Sequence, residues 1–274
     1  MIKQIGWING SWSTLEKLTI PLNDRSLNFG DGIFETILIL NHQPQLLNAH
    51  FSRWKRNALM LGMALPPSEK ILHPIIEEGI KLLILNDGIG SLRLNWGRGS
   101  NVNRGISYDN EEENSQYNLW LELSSIKLSF SNIKTTIDHF EKRNANSLIS
   151  KCKTLNYMQS IQARLKAKAN NFDDALLLST TGEICCGTTA NIIVRRDKKL
   201  VTPRLESGCL PGIMREQAIK KGLCEETELS PMPEANDEWL LINSLSCHPI
   251  KRIDNQPIKI FQHAESLWHS LLIE

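Results

Sequence analysis

Four groups of residues in this chain have types and spacings that could do chemistry together. Lys153, near the middle, carries a primary amine that can condense with a carbonyl and afterwards move a proton. Arg53, three residues beyond His50 in a segment of helical spacing, offers a guanidinium fork suited to a phosphate. The run Gly187-Thr188-Thr189-Ala190-Asn191 reads as a polar turn into a strand, and Pro211-Gly212 opens a helix at Ile213 and Met214. A helix start presents backbone N–H groups without intrahelical partners and the positive end of the helix dipole, so it accepts anions. Singly, each is also an ordinary surface or turn feature. In this order they can hold an anionic phosphate, an aldehyde and a ring.

Positioning them requires two α/β domains. Asn9-Gly10 between short apolar segments predicts a tight hairpin. Gly30 and Gly32 punctuate a turn that delivers the chain into a β-branched strand over Phe34 to Leu40, which includes Thr36. Asn48 reads as the N-cap of a helix that buries Phe51, Trp54, Ala58 and Leu61 and leaves His50 and Arg53 on another face. A second helix starts near Ser68 and runs through Ile75, Ile76, Ile80 and Leu83. Leu92, Leu94 and Trp96 alternate with Arg93 and Asn95 in a half-buried strand that ends in a Gly-rich loop carrying Arg98 and Arg104. A strand from Tyr117 to Leu123 closes a first domain, 1–123, and 124–131 reads as a linker. In the second domain, 132–274, a helix over Asn156 to Ala169 lines up Tyr157, Ile161 and Leu165 on an apolar face, and strands are expected at Asp174 to Leu178, Ala190 to Val194, Lys199 to Thr202 and Trp239 to Asn243.

Composition narrows the function classes. The 274 residues carry 31 basic and 30 acidic side chains, a net charge of +1, which gives no broad field for a nucleic-acid backbone. At 41% hydrophobic and 22% charged the chain is an ordinary globular sequence. No apolar run approaches the ~18 residues of a membrane span. The first residues lack the apolar core of a secretory signal, so a cytoplasmic protein is expected. The six cysteines form no Cys-x-x-Cys pair; free thiols and no metal site are the expectation.

Seven pieces, in order, resemble the class IV pyridoxal-phosphate aminotransferases, whose members include branched-chain and D-amino-acid aminotransferases and 4-amino-4-deoxychorismate lyase. They are DRSLNFGDGIFET (24–36), HFSR (50–53), RGSNVNRG (98–105), KTLNY (153–157), GTTAN (187–191), LPGIMR (210–215) and NSLSCHPI (243–250). The resemblance implies a fold-type-IV enzyme, with a small N-terminal and a larger C-terminal α/β domain, acting on a small-molecule substrate. It also implies a homodimer with pyridoxal 5'-phosphate between the domains. It makes Lys153 the Schiff-base lysine and proton carrier and Arg53 the phosphate arginine. Gly212, Ile213 and Met214 become the phosphate-binding helix start, Thr188, Thr189 and Asn191 the turn beside it, and Tyr157 a neighbour of the phenolic oxygen. Thr36 is a candidate donor near the substrate.

One position departs from the family pattern. Five residues before Asn191, where relatives carry a glutamate that pairs with the pyridine nitrogen, this chain has Cys186. A neutral thiol is a poor counter-ion. Glu183 is the nearby carboxylate, but in a regular strand 183 and 186 face opposite sides, so it could substitute only through a bulge or shifted loop. Asn243-Ser244-Leu245 and the paired Arg98-Gly and Arg104-Gly resemble the lyase members, where guanidinium forks suit a substrate with two carboxylates. A weak electron sink should also harm transamination more than an elimination that ends in an aromatic ring. The alternatives are an aminotransferase for D-amino or branched-chain amino acids and a catalytically impaired binding protein.

Overall fold

The computed structural model describes residues 3–100, 105–107 and 117–273. It is a mixed α/β protein with two sheets, and the chain divides into two compact units, Met1–Lys127 with Lys153–Asn156, and Leu128–Cys152 with Tyr157–Glu274. Chain order alone assigned Lys153 to the second domain; the four residues from Lys153 instead pack with the first unit.

In the first unit, strands β1 (Gln4–Ile8), β2 (Ser11–Ser13), β3 (Gly32–Leu40), β4 (Gln43–Pro44), β5 (Gly90–Gly97) and β6 (Asn118–Ser125) form one antiparallel sheet in the order β2-β1-β6-β5-β3-β4. Asn9 and Gly10, with φ of 51° and 91°, make the expected hairpin turn. The segment before β3 contains a short helix that the glycine pattern did not suggest, α1 (Arg25–Phe29). Asp24 caps it by accepting from the Ser26 and Leu27 N–H groups, and left-handed Gly30 ends it. Ile33, Ile37 and Ile39 on one face of β3 pack against Phe51, Trp54 and Ala58 of α2 (Leu47–Met60) and Leu72 and Ile76 of α3 (Glu69–Leu82). Truncating the fully buried Trp54 to alanine would cost about 3–5 kcal/mol.

Two details of α2 differ from expectation. Its cap is Leu46 at φ 51°, with no side-chain cap, and Asn48 lies inside the first turn. The tight turn after β4 rotates the chain into the helix earlier than a capping side chain would. His50 and Arg53 do not lie on an open face: both are buried. The reason is Glu35, which alternation places on the α2-facing side of β3, among the isoleucines.

In the second unit, β7 (Ile133–Arg143), β8 (Asp174–Ser179), β9 (Ile184–Gly187), β10 (Asn191–Arg196), β11 (Lys199–Pro203), β12 (Cys224–Thr227), β13 (Glu238–Asn243) and β14 (Ser246–Ile253) order as β12-β11-β10-β13-β14-β7-β8-β9, with β15 (Gln256–Pro257) on β14. β7 is an interior strand, parallel to both β8 and β14, and its polar sequence hid it. Its threonines are satisfied inside the sheet; Thr136 donates to Asp254 at 2.5 Å. Helices α4 (Met158–Ala169), α5 (Ile213–Lys220) and α6 (Ala264–Ser270) complete the unit. The buried face of α4 is not the predicted one. Ala163 and Ala167 pack against Ala175 and Leu177, whereas Ile161 and Leu165 are 47% and 58% exposed. Small residues let the helix backbone approach the sheet and turn the larger ones outward. Among the described residues no helix is long and apolar enough to cross a membrane.

Candidate active site

Lys153 is fixed through its backbone. The Phe34 N–H donates to the Lys153 carbonyl at 3.0 Å and the Leu155 N–H to the Gly32 carbonyl at 2.9 Å, so 153–155 run as an extra antiparallel rung on β3. Gly32 permits this approach, since a Cβ there would sit 2.7 Å from the Leu155 side chain. The Lys153 ammonium lies 4.1 Å from the Phe34 ring centroid and the Arg93 guanidinium 3.6 Å from the same ring. Thr36 shares the Phe34 face of β3 by alternation and stands opposite Arg93 in the register.

On the other face of β3 is a buried ionic cluster. Arg53 donates through Nε to Glu35 Oε1 at 2.8 Å and through Nη2 to Oε2 at 2.6 Å, and His50 Nδ1 lies 2.7 Å from Oε2. Glu35 is 0% and Arg53 3% exposed. Burial alone would raise the Glu35 pKa, but the Arg53 charge and fork, with the His50 hydrogen bond, outweigh it and hold the carboxyl at about 2. For His50 burial wins over the carboxylate and lowers its pKa, so the ring is neutral and carries its proton on Nδ1, because an ionised carboxylate can only accept. The sequence reading missed Glu35; the available signal was a charged residue at a core-facing position of a β-branched strand, which must find a partner.

Arg98 is committed elsewhere. Its Nε bonds Asp31 at 3.1 Å, and its two terminal nitrogens donate to the Gly62 and Leu61 carbonyls at 2.9 Å each. It therefore clamps the end of α2 to the turn before β3. Arg104 lies outside the described residues.

The second unit gathers the remaining candidates. Thr188 donates its hydroxyl to Asp174 at 2.5 Å, and Arg164 reaches both Asp174 at 2.7 Å and the Thr189 hydroxyl at 3.1 Å. Asn191 donates to the Leu210 carbonyl at 2.9 Å and fills the space above Gly212, where a Cβ would come within 1.8 Å of its side-chain oxygen. The Thr188-Thr189 turn and the α5 start are thereby locked together. Gly212 is the N-cap of α5 and no side chain caps that end, so the Ile213 and Met214 N–H groups head the helix. Tyr157, half-buried, is the N-cap of α4. Asn243 accepts from the Leu245 and Ser246 N–H groups at 2.8 and 3.0 Å and donates to the Thr189 carbonyl at 3.4 Å, which ties the turn containing Ser244 to the Thr188-Thr189 turn.

Cys186 does not sit in a regular strand. Cys186 pairs with Leu177 and Ile184 with Leu178, so Cys185 is the extra residue of a bulge. The carboxylate of Glu183 accepts from the Thr181 hydroxyl at 2.5 Å, in the β8–β9 turn. The six cysteines, all among the described residues, are buried and form no disulfide.

A lysine amine in the first unit, and hydroxyl-bearing turns and a helix start without a side-chain cap in the second, are group types that suit a phosphorylated aldehyde. The chain belongs to the class IV amino-transferases: the profile of that family matches residues 32–253. That family depends on pyridoxal phosphate and contains both aminotransferases and lyases. The chain is 23% identical to the aminodeoxychorismate lyase of Vibrio harveyi, with 93% of each chain covered. It is 26% identical to the D-alanine aminotransferase of Bacillus licheniformis, covering 91% of this chain and 88% of that one. A hypothetical aminotransferase from Mycobacterium tuberculosis, solved in its pyridoxal-phosphate-bound form, shares the fold at a TM-score of 0.81 and 18% identity, covering 98% of this chain and 99% of the other.

Proposed function

We propose that this chain is a 4-amino-4-deoxychorismate lyase, which releases pyruvate and leaves 4-aminobenzoate for folate synthesis. Pyridoxal phosphate supplies an aldehyde for the substrate amine and a ring that withdraws electrons from the linked carbon. Lys153 would hold the aldehyde and move the substrate proton, with its backbone fixed on β3. The α5 start at Gly212, Ile213 and Met214 would hold the phosphate, with Thr188, Thr189 and Asn191 shaping the turn beside that start, whereas Arg53, the phosphate arginine that the resemblance implies, is engaged by Glu35. Tyr157 would donate toward the phenolic oxygen, Cys186 would take the place beside the ring nitrogen, and Thr36 would donate near the substrate. Because Arg98 is spent on Asp31 and two carbonyls, holding a substrate carboxylate falls to Arg104.

The observation that favours the lyase over an aminotransferase is the Asn243-Ser244-Leu245 turn. Asn243 fixes that turn with its side-chain amide, accepting from the Leu245 and Ser246 N–H groups and donating to the Thr189 carbonyl, and it is the sequence of this turn that resembles the lyase members. The deciding assay supplies aminodeoxychorismate without a keto acid and follows pyruvate. Release without acceptor supports the lyase; strict dependence on an acceptor refutes it in favour of transamination. The proposal includes a cytoplasmic homodimer, supported by the exposed apolar residues Met158, Ile161 and Leu165 along α4. A monomeric mass by light scattering would overturn that part.

A further inference from the structure

Asn243, the last residue of β13, is a junction of hydrogen bonds. Its side-chain oxygen accepts from the Leu245 N–H at 2.8 Å, the Ser246 N–H at 3.0 Å and the Ser246 hydroxyl at 3.2 Å, and its amide donates to the Thr189 carbonyl at 3.4 Å. The side chain is thus spent on its own turn and on the tie to Thr189. Its main-chain carbonyl takes a bond from much further along the chain: the indole N–H of Trp268, in α6, donates to it at 2.9 Å. Trp268 is fully buried, and the Phe130 ring meets it edge-on at 5.4 Å between centroids. The segment carrying Phe130 is itself tied to β14, through the Ser129–Ser246 bridge and through His248 Nδ1, 3.0 Å from the Ser131 carbonyl. Packing therefore holds the indole where its N–H meets Asn243. α6 lies outside every motif that carried the resemblance, and the family profile ends at residue 253, before this helix begins.

We infer that Trp268 is a positioning residue for the substrate: through its indole N–H, α6 fixes the Asn243-Ser244 turn and so sets where the substrate-facing wall stands. That the turn faces substrate rests on the proposed function; its anchoring by α6 does not. A carbonyl that loses a buried donor is left unsatisfied, and the turn then shifts to recover a partner. A displacement of an ångström or less at a substrate wall is enough to weaken binding. Trp239 provides the internal comparison. It is equally buried and lies on the same strand as Asn243, but among the described residues its indole nitrogen has no hydrogen-bond partner. Replacing either indole by phenylalanine shortens a buried ring in the same way, and only at 268 does it also take a donor from the turn.

The test compares Trp268→Phe with Trp239→Phe in the cofactor-loaded enzyme. Both variants should lose stability in urea, since each truncates a buried ring. Loss of one neutral hydrogen bond behind the wall should raise the KM for aminodeoxychorismate about 3- to 10-fold in Trp268→Phe and leave kcat within about twofold. Trp239→Phe should keep the native KM. An unchanged KM in Trp268→Phe, or an equal rise in both variants, would overturn the inference. A second measurement needs no variant: among the seven tryptophan indole N–H signals of the nitrogen-15-labelled protein, that of Trp268, assigned by its contact with the Phe130 ring, should show the downfield shift of a hydrogen-bonded proton. A Trp268 signal at the position of an unbonded indole would refute the anchor itself. Turnover that depends strictly on a keto-acid acceptor would fall on the proposed function, and the same KM comparison, made with the amino-acid substrate, would then decide the role of Trp268.

Discussion

Replacing Glu35 by glutamine removes the negative charge from the centre of the buried cluster and changes almost nothing in shape. The native carboxyl is held at about 2 against an ordinary 4.5, and that lowering corresponds to roughly 3 kcal/mol of stability at neutral pH. The same figure follows from the other side of the pair: stranding a buried guanidinium such as Arg53 costs about 3–5 kcal/mol. Because the folded-state pKa is depressed, the contribution is fully present above pH 4.5 and is lost as pH falls toward 2. Glutamine resembles the protonated acid, so the stability gap between native and Glu35→Gln protein should be about 3 kcal/mol at neutral pH and close toward zero at the acid end of that window. Urea unfolding across that pH range measures the gap directly. A neutral-pH gap under about 1 kcal/mol, or one that does not change with pH, would refute the view that an ionised Glu35 holds Arg53.

His50 gives a second pH window, because it is buried neutral and takes up a proton more readily when unfolded. Stability should fall as pH drops below 6.5, and His50→Asn, which keeps a donor near Nδ1, should flatten that slope. Lys153→Ala should abolish the borohydride-reducible link to cofactor, read by mass spectrometry, while Phe34 and Gly32 keep the strand in place; a link that persisted would move the attachment point elsewhere. Arg98→Gln should lower stability by about 1–3 kcal/mol in urea titration and leave the substrate KM within a few-fold. A large rise in KM at unchanged stability would return Arg98 to the substrate.

The order of motifs carried much of this protein in its sequence. Lys153, Arg53, the Thr188-Thr189 turn and the Gly212 helix start are local features, each legible because a turn, a cap or a helical period is encoded by a few adjacent residues. Asn9-Gly10 and Ser68 marked a hairpin and a helix start for the same reason. What the sequence could not reveal depended on partners distant in the chain. β7 reads as polar until Asp254 accepts from Thr136. Arg53 reads as a surface residue until Glu35, 18 positions earlier, closes on it from the facing strand. Arg98 reads as a substrate arginine until the carbonyls at the end of α2 take its donors. The bulge at Cys185 needs the register of β8, and that register gathers both thiols into one buried apolar cluster. Residue type and spacing set which chemistry was available; burial and long-range pairing decided which groups are charged and which are already engaged.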